Sequence, residues 1–211
     1  MGEATITINM DALTALSAEL GLVPAAIDRA LATVLNRRAP DVMEDAKSKI
    51  TSRVRLSESY VADRMRVTKA TLSRPVAVVI ASERSTKLAS YMAVQRISGA
   101  PGAKGDQLRR IPAGFKQAGI YTGVKTGNRK LLSRAFMIPL QMGVDSGGNG
   151  MGVFVREGKG RKAIRHLYGP SVNQLFSGVV VEIEEPLKQM LEDDLMKEVA
   201  DEMRAVVGAL K

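Results

Sequence analysis

The residues ATITIN, positions 4 to 9, set Ile6 and Ile8 between polar neighbours, the two-residue period of a strand with one buried face. Asp11 stands where it can cap a short helix, whose Leu13, Leu16 and Leu20 fall on one side and which Gly21 can end. From Pro24, which suits a first helical turn, the period lengthens. Ile27, Leu31, Val34, Leu35, Val42, Ala46, Ile50 and Val54 keep helical spacing straight across Pro40, predicting one long helix kinked at the proline. Ser57 is placed to cap a short helix holding Tyr60, Val61 and Met65. The β-branched runs MRVTKATL and PVAVVIAS then predict two strands, with Pro75 confined to the start of the second. The sheet is expected to continue through the runs around 87–94, 119–125 and 152–156.

Residues 98–118, SGAPGAKGDQLRRIPAGFKQA, carry no period, and their glycines, prolines and basic residues predict a long mobile loop. Near the C-terminus, Ile183, Leu187, Met190, Leu191, Leu195, Val199, Met203, Val206 and Leu210 make one apolar stripe. Opposite it lie Glu184, Glu192, Asp194, Asp201 and Glu202, so an acidic helix is expected over about 179–210. Pro186 either starts that helix or kinks a longer one beginning near Val179. Together these elements predict a single α+β domain over residues 1–211, a long N-terminal helix and a C-terminal helix packed beside a mainly antiparallel β-sheet.

Composition adds limits to this picture. With 211 residues and 45% hydrophobic content the chain can bury a sizeable core. Only 4% is aromatic and there is no Trp, so Ala, Val, Leu, Ile and 11 Met must fill that core, packing adaptably and gaining rigidity from partners. The absence of cysteine excludes disulfides and thiolate metal sites and suits a reducing cytoplasm during folding. Glu3 stands where a signal peptide would be basic, and no run approaches the roughly 20 apolar residues of a membrane span; the expectation is a soluble protein without membrane contact.

The formal charge of +9 is unevenly spread: residues 84–165 carry 16 Lys and Arg against 3 acids, while residues 166–204 carry 3 against 9. Three partners answer such a middle segment: nucleic-acid phosphates, an acidic protein surface, or the acidic helix of a neighbouring copy in a head-to-tail ring. On the nucleic-acid reading the candidate phosphate contacts are Arg109, Arg110, Lys116, Arg129 and Lys130, with Lys125 and Arg134 extending the strip. Only Phe115 and Tyr121 are interleaved as stacking platforms, and a solvated loop is the plain alternative.

The sequence offers no catalytic, cofactor-binding or metal-ligating candidate. His166 is the one histidine, and without Cys or a spaced His partner it reads as structural. Glu192, Asp193 and Asp194 are adjacent on a helix and point in different directions, so they read as a solvated or interfacial acidic face. GAPGAKGDQ lacks the spacing of a phosphate loop. GVFVREGKGRKAI, residues 152–164, predicts a hairpin with Val153 and Val155 on one face and Phe154 and Arg156 on the other. Its four cations Lys159, Arg161, Lys162 and Arg165 repel unless solvent or acids answer them. Phe154 and Arg156 with these four are candidate subunit-interface residues, and Glu192 and Asp194 are the candidates on the acidic side.

The pair Ala135 and Phe136, then GVFVREGKGRKAI, then LYGPSV at 167–172, resemble the signature region of the minor tail protein Z family of tailed bacteriophages. The segment from Ala26 to Leu56, AIDRALATVLNRRAPDVMEDAKSKITSRVRL, together with the short helix and RVTKAT strand after it, is similar to that family's long N-terminal helix and the elements next to it in the chain. The resemblance implies a structural virion subunit with no enzymatic task and no cofactor. It implies a self-assembled ring, sixfold or twelvefold by analogy, at the head-proximal neck of the tail, where it helps join tail to head. The implied partners are the tail terminator, tail tube or neck proteins, with non-specific contact to the DNA that passes through, and the implied location is the virion after assembly in the host cytoplasm.

Overall fold

The computed structural model describes residues 3–4, 24–140, 150–158 and 163–209; the short helix expected after Asp11 and the cations at 159, 161 and 162 lie outside them. The chain is α+β. In order its elements are β1 (Glu3–Ala4), α1 (Pro24–Arg53), α2 (Glu58–Ala62), β2 (Met65–Thr68), β3 (Val78–Ala81) and β4 (Thr86–Lys87). A 3-10 turn (Leu88–Ser90) precedes β5 (Val94–Gly99), β6 (Phe115–Thr122), β7 (Lys130–Leu132) and β8 (Ala135–Pro139). β9 (Met151–Arg156), β10 (Ile164–His166), β11 (Tyr168–Gly169) and α3 (Val172–Ala209) complete it. The chain divides into two compact units.

The first unit comprises Met1–Lys47, Met65–Ser82 and Asn173–Lys211. Helix α1 passes through Pro40 as predicted; the missing N–H leaves the Asn36 carbonyl without its helical donor, a local cost that the buried stripe outweighs. That stripe includes Ala30, Leu31, Val34, Ala39 and Ala46. On α3 the buried positions Phe176, Val179, Ile183, Leu187, Leu191, Leu195 and Val199 recur every three or four residues, the helical period read from the sequence. Met190 departs from that reading: it is exposed, one residue off the buried line. The two helices are joined by polar pairs, Arg38 Nε donating to Asp194 at 2.5 Å and Arg37 to Glu198 at 3.2 Å. The Arg38 hydrogen bond holds the Asp194 carboxyl below its ordinary value against the opposing effect of desolvation.

Strands β1, β3 and β2 form an antiparallel sheet in that order within this unit. The Asn36 side chain fastens the segment after β2: its Nδ2 donates to the Ala70 carbonyl at 3.0 Å, and its Oδ1 accepts from the Ala70 amide at 2.8 Å. Ala70 is buried, so Asn36→Ala would leave both its backbone groups without this partner. The expected cost is about 2 kcal/mol, read as a lower midpoint in equilibrium urea unfolding.

The second unit comprises Ser48–Arg64 and Glu83–Val172. Here the end of α1 is capped by a β-type exchange: Arg53 O accepts from Thr126 N at 2.9 Å, and Arg55 N donates to Val124 O at 2.9 Å. Ser57 caps α2 as expected, accepting from Tyr60 N at 3.3 Å. The strands of this unit are antiparallel but lie in three small sheets, β5-β6-β7, β10-β9-β8 and β11-β4. The one continuous sheet expected from the sequence is therefore replaced by separate small ones.

Several boundaries differ from the sequence reading, among them Met65, expected in the short helix and found at the start of β2. The strand expected over 87–94 is two residues of β4 followed by a 3-10 turn, because burying Tyr91 completely requires the chain to wind inward there. Helix α3 starts at Val172, seven residues before Val179, because Val172, Phe176, Val179 and Ile183 share one buried side. The strand expected from Gly119 begins instead at Phe115, and β5 runs on to Gly99, so the excursion between them narrows to residues 100–114.

Candidate subunit interface

The β10-β9-β8 sheet has two unlike faces, and strand register dictates which residues each receives. Ala135 pairs with Val155 and Met137 with Val153, and of these Ala135, Met137 and Val153 are buried. The alternate positions make a row on the other face: Phe136 opposite Phe154, and Phe154 opposite His166. The split of Val153 and Val155 from Phe154 and Arg156 is the one expected from the sequence.

That row is a graded aromatic stack. Phe136 and Phe154 have ring centroids 6.3 Å apart; His166 lies over Phe154 at 4.4 Å with planes 18° apart; Tyr168 follows His166 at 4.4 Å. Arg156 closes one end with its guanidinium 5.0 Å above the Phe136 ring. Gly152 makes the stack possible: a Cβ there would sit 2.6 Å from Phe154 and 2.9 Å from His166. Tyr168 is 53% exposed and Ile164, at the start of β10, is 37% exposed. The face is thus apolar, closely stacked and flanked by the Arg156 guanidinium, which makes it a candidate for contact with another protein.

His166 contributes a ring and no charge. Burial lowers its pKa and the Lys87 ammonium lowers it further, while its Nε2 is buried without a partner among the described residues. Because the folded value lies below the ordinary 6.5, the unfolded chain binds the extra proton first. The neutral ring's stabilisation is therefore complete above pH 6.5 and declines as pH falls from there toward the folded value. Thermal melts of the wild type at pH 7.5 and about 5.5 should differ by more than those of His166→Phe, which has no proton to gain.

Arg165 pairs with Glu157 at 2.5 Å beside the β9–β10 turn. Glu192 is exposed on α3, whereas Asp194 is half-buried and held by Arg37 and Arg38. Among the phosphate candidates, Arg109 pairs with Asp106 at 3.2 Å, and Arg129 sits over the Tyr121 ring at 5.4 Å. Arg110, Lys116 and Lys130 are exposed. Phe136, His166, Tyr168 and Gly152 belong to this face although sequence reasoning did not select them as interface candidates; the signal was the alternation on β9, which names a face only once its two neighbouring strands are in register.

Among the described residues, no group of three or more His, Cys, Asp or Glu is placed to hold a metal ion, and no helix is long and apolar enough to cross a membrane. The sequence model of a family described as prophage minor tail protein Z matches residues 12–208. No curated protein and no solved structure matches the chain.

Proposed function

The chain belongs to the prophage minor tail protein Z family and is a structural protein of the phage tail, and from this premise we propose that it forms a ring at the head-proximal end of the tail and helps join tail to head. Beyond the family, support for this reading comes from the half-exposed stack of Phe136, Phe154, His166 and Tyr168, an ordered apolar face that a neighbour can cover. The partners on this reading are further copies of the chain, the tail terminator, and tail-tube or neck proteins. Assembly takes place in the host cytoplasm and ends in the virion. Apolar contact supplies the binding energy, and the opposite charges of the 84–165 and 166–204 segments set orientation. No step of this role needs bond chemistry or a cofactor.

The test is structural and genetic together. A phage lacking the gene should build heads and tails that do not yield infectious particles, and electron microscopy of complete virions should place this chain's density as a ring at the neck. Density elsewhere, or virions infectious without the protein, would refute the proposal.

The exposed Arg110, Lys116 and Lys130 favour a second role for the same subunit, non-specific contact with DNA. Filter binding of the purified protein should then be independent of sequence, with the logarithm of the affinity falling by roughly 0.9 per phosphate contacted for each tenfold rise in salt. Binding unchanged by reversing the charge of Arg110 and Lys116 would remove that role.

A further inference from the structure

The excursion between β5 and β6 is a second small hairpin. Asp106 and Ile111 exchange both backbone hydrogen bonds, N to O at 2.7 and 2.8 Å, and Arg110 N closes the turn onto Gln107 O at 3.0 Å. The turn is pinned from several sides. Asp106 accepts from Arg109 N at 3.1 Å and pairs with its guanidinium, and Gln95 Nε2 donates to the Arg109 carbonyl. Arg110 is held in the left-handed region at φ 54°, a conformation a non-glycine residue adopts at a cost. Gly105, at φ 73°, lies so close to the returning strand that a Cβ would fall 2.7 Å from Ile111 O. Ile111 roots the hairpin in the core.

At the tip of this fixed turn stands Leu108, 77% exposed, the most exposed large apolar side chain among the described residues. A pinned apolar residue facing outward loses little conformational entropy on docking, the property of a preorganised anchor. Around it the excursion carries Lys104, Arg109 and Arg110 against the single acid Asp106.

The first unit contains a groove of complementary character. It is lined by Leu35, Ala39 and Val42 of α1 and Val180, Ile183 and Leu187 of α3, with a cavity of ≈ 60 Å³. One water needs about 10–15 Å³ counted this way, so a branched aliphatic side chain fits. Its one cation, Arg38, is already engaged by Asp194 and Asp41, and α3 beside it has an acidic excess.

We infer that Leu108 of one copy seats in the α1–α3 groove of a second copy, with the cations of its hairpin facing that copy's acidic helix. Knob and groove are different surfaces, so the contact is heterologous: it repeats head to tail and closes into a ring when the rotation between copies permits. The inference rests on the ring reading above and supplies the contact that would build it.

Because the chain has no cysteine, single-cysteine variants test this cleanly. Full-length Leu108→Cys and Val42→Cys proteins are mixed, treated with a short bis-maleimide and run on a denaturing gel, with Leu72→Cys, exposed at a different site, replacing Leu108→Cys as control. The expected result is a linked dimer from the first mixture, formed at least about tenfold faster than from the control, as a seated anchor implies. Equal rates would overturn the inference. In parallel, Leu108→Asp should weaken self-association by roughly a hundredfold, with an unchanged melting temperature because the residue is exposed. Rings that survive Leu108→Asp would refute this contact and leave the ring itself standing. Neck density lost from virions of every genotype would instead remove the reading on which it rests.

Discussion

Phe154→Glu is expected to leave a folded protein that no longer supports assembly of infectious particles. Phe154 occupies the centre of the aromatic row, in contact with Phe136 on one side and His166 on the other, yet it is only partly buried. The opposite side of the same strand carries the fully buried Val153, so the core is built without the phenyl ring. Central aromatic anchors contribute about 2–4 kcal/mol to an interface, and a carboxylate at that spot would also have to be desolvated without a partner. A loss of about 3 kcal/mol per contact is roughly a hundredfold in affinity, and a ring repeats that loss at every copy. The measurement is virion titre on complementation with the variant gene, set beside the thermal melt of the purified protein. Val153→Glu serves as the opposite control and should fail to fold. Normal titre with Phe154→Glu would remove the aromatic face from assembly, and a collapsed melt would reassign it to the core.

The same row marks how far sequence reasoning reaches. The long helices were legible because an apolar residue every three or four positions survives both Pro40 and Pro186, and the buried stripes Leu31 to Ala46 and Ile183 to Val199 keep that spacing. The β9–β10 hairpin was legible for a similar reason, since Val153 and Phe154 can face opposite ways only on a strand. Phe136, Phe154 and His166, by contrast, are separated in sequence and become neighbours through register alone, which a single-residue slip would abolish. The start of α3 was hidden by Val179 to Val181, a β-branched run of low helix propensity beside Gly178, and burial of Phe176 and Val179 overrides that local preference. Leu108 was hidden by composition: a segment rich in glycine, proline and lysine reads as loop, and nothing in the residues themselves announces the paired Asp106 and Ile111 beneath the tip.

The second large effect concerns stability, and it centres on Tyr91. Its side chain is fully buried in the second unit, its hydroxyl donates to the Pro170 carbonyl at 2.7 Å, and its ring lies against Gly169 so closely that a Cβ there would sit 2.5 Å from it. This one contact links the turn after β4 to the segment that leads into α3. Tyr91→Ala should cost about 3–5 kcal/mol, lost burial plus cavity, a large share of the 5–15 kcal/mol that typically holds a domain together. Tyr91→Phe keeps the ring and removes only the hydrogen bond, at about 1–2 kcal/mol, and Gly169→Ala should approach the alanine variant because ring or backbone must move. Burial also pushes the Tyr91 hydroxyl up to about 12. Since the unfolded tyrosine ionises near 10, the resulting stabilisation is fully present below pH 10 and is lost as pH rises from there through about 12. Urea unfolding of the wild type should therefore weaken over that interval, and Tyr91→Phe should show a flatter alkaline limb. A Tyr91→Ala protein with a wild-type midpoint would mean that the second unit is held by something other than this buried ring.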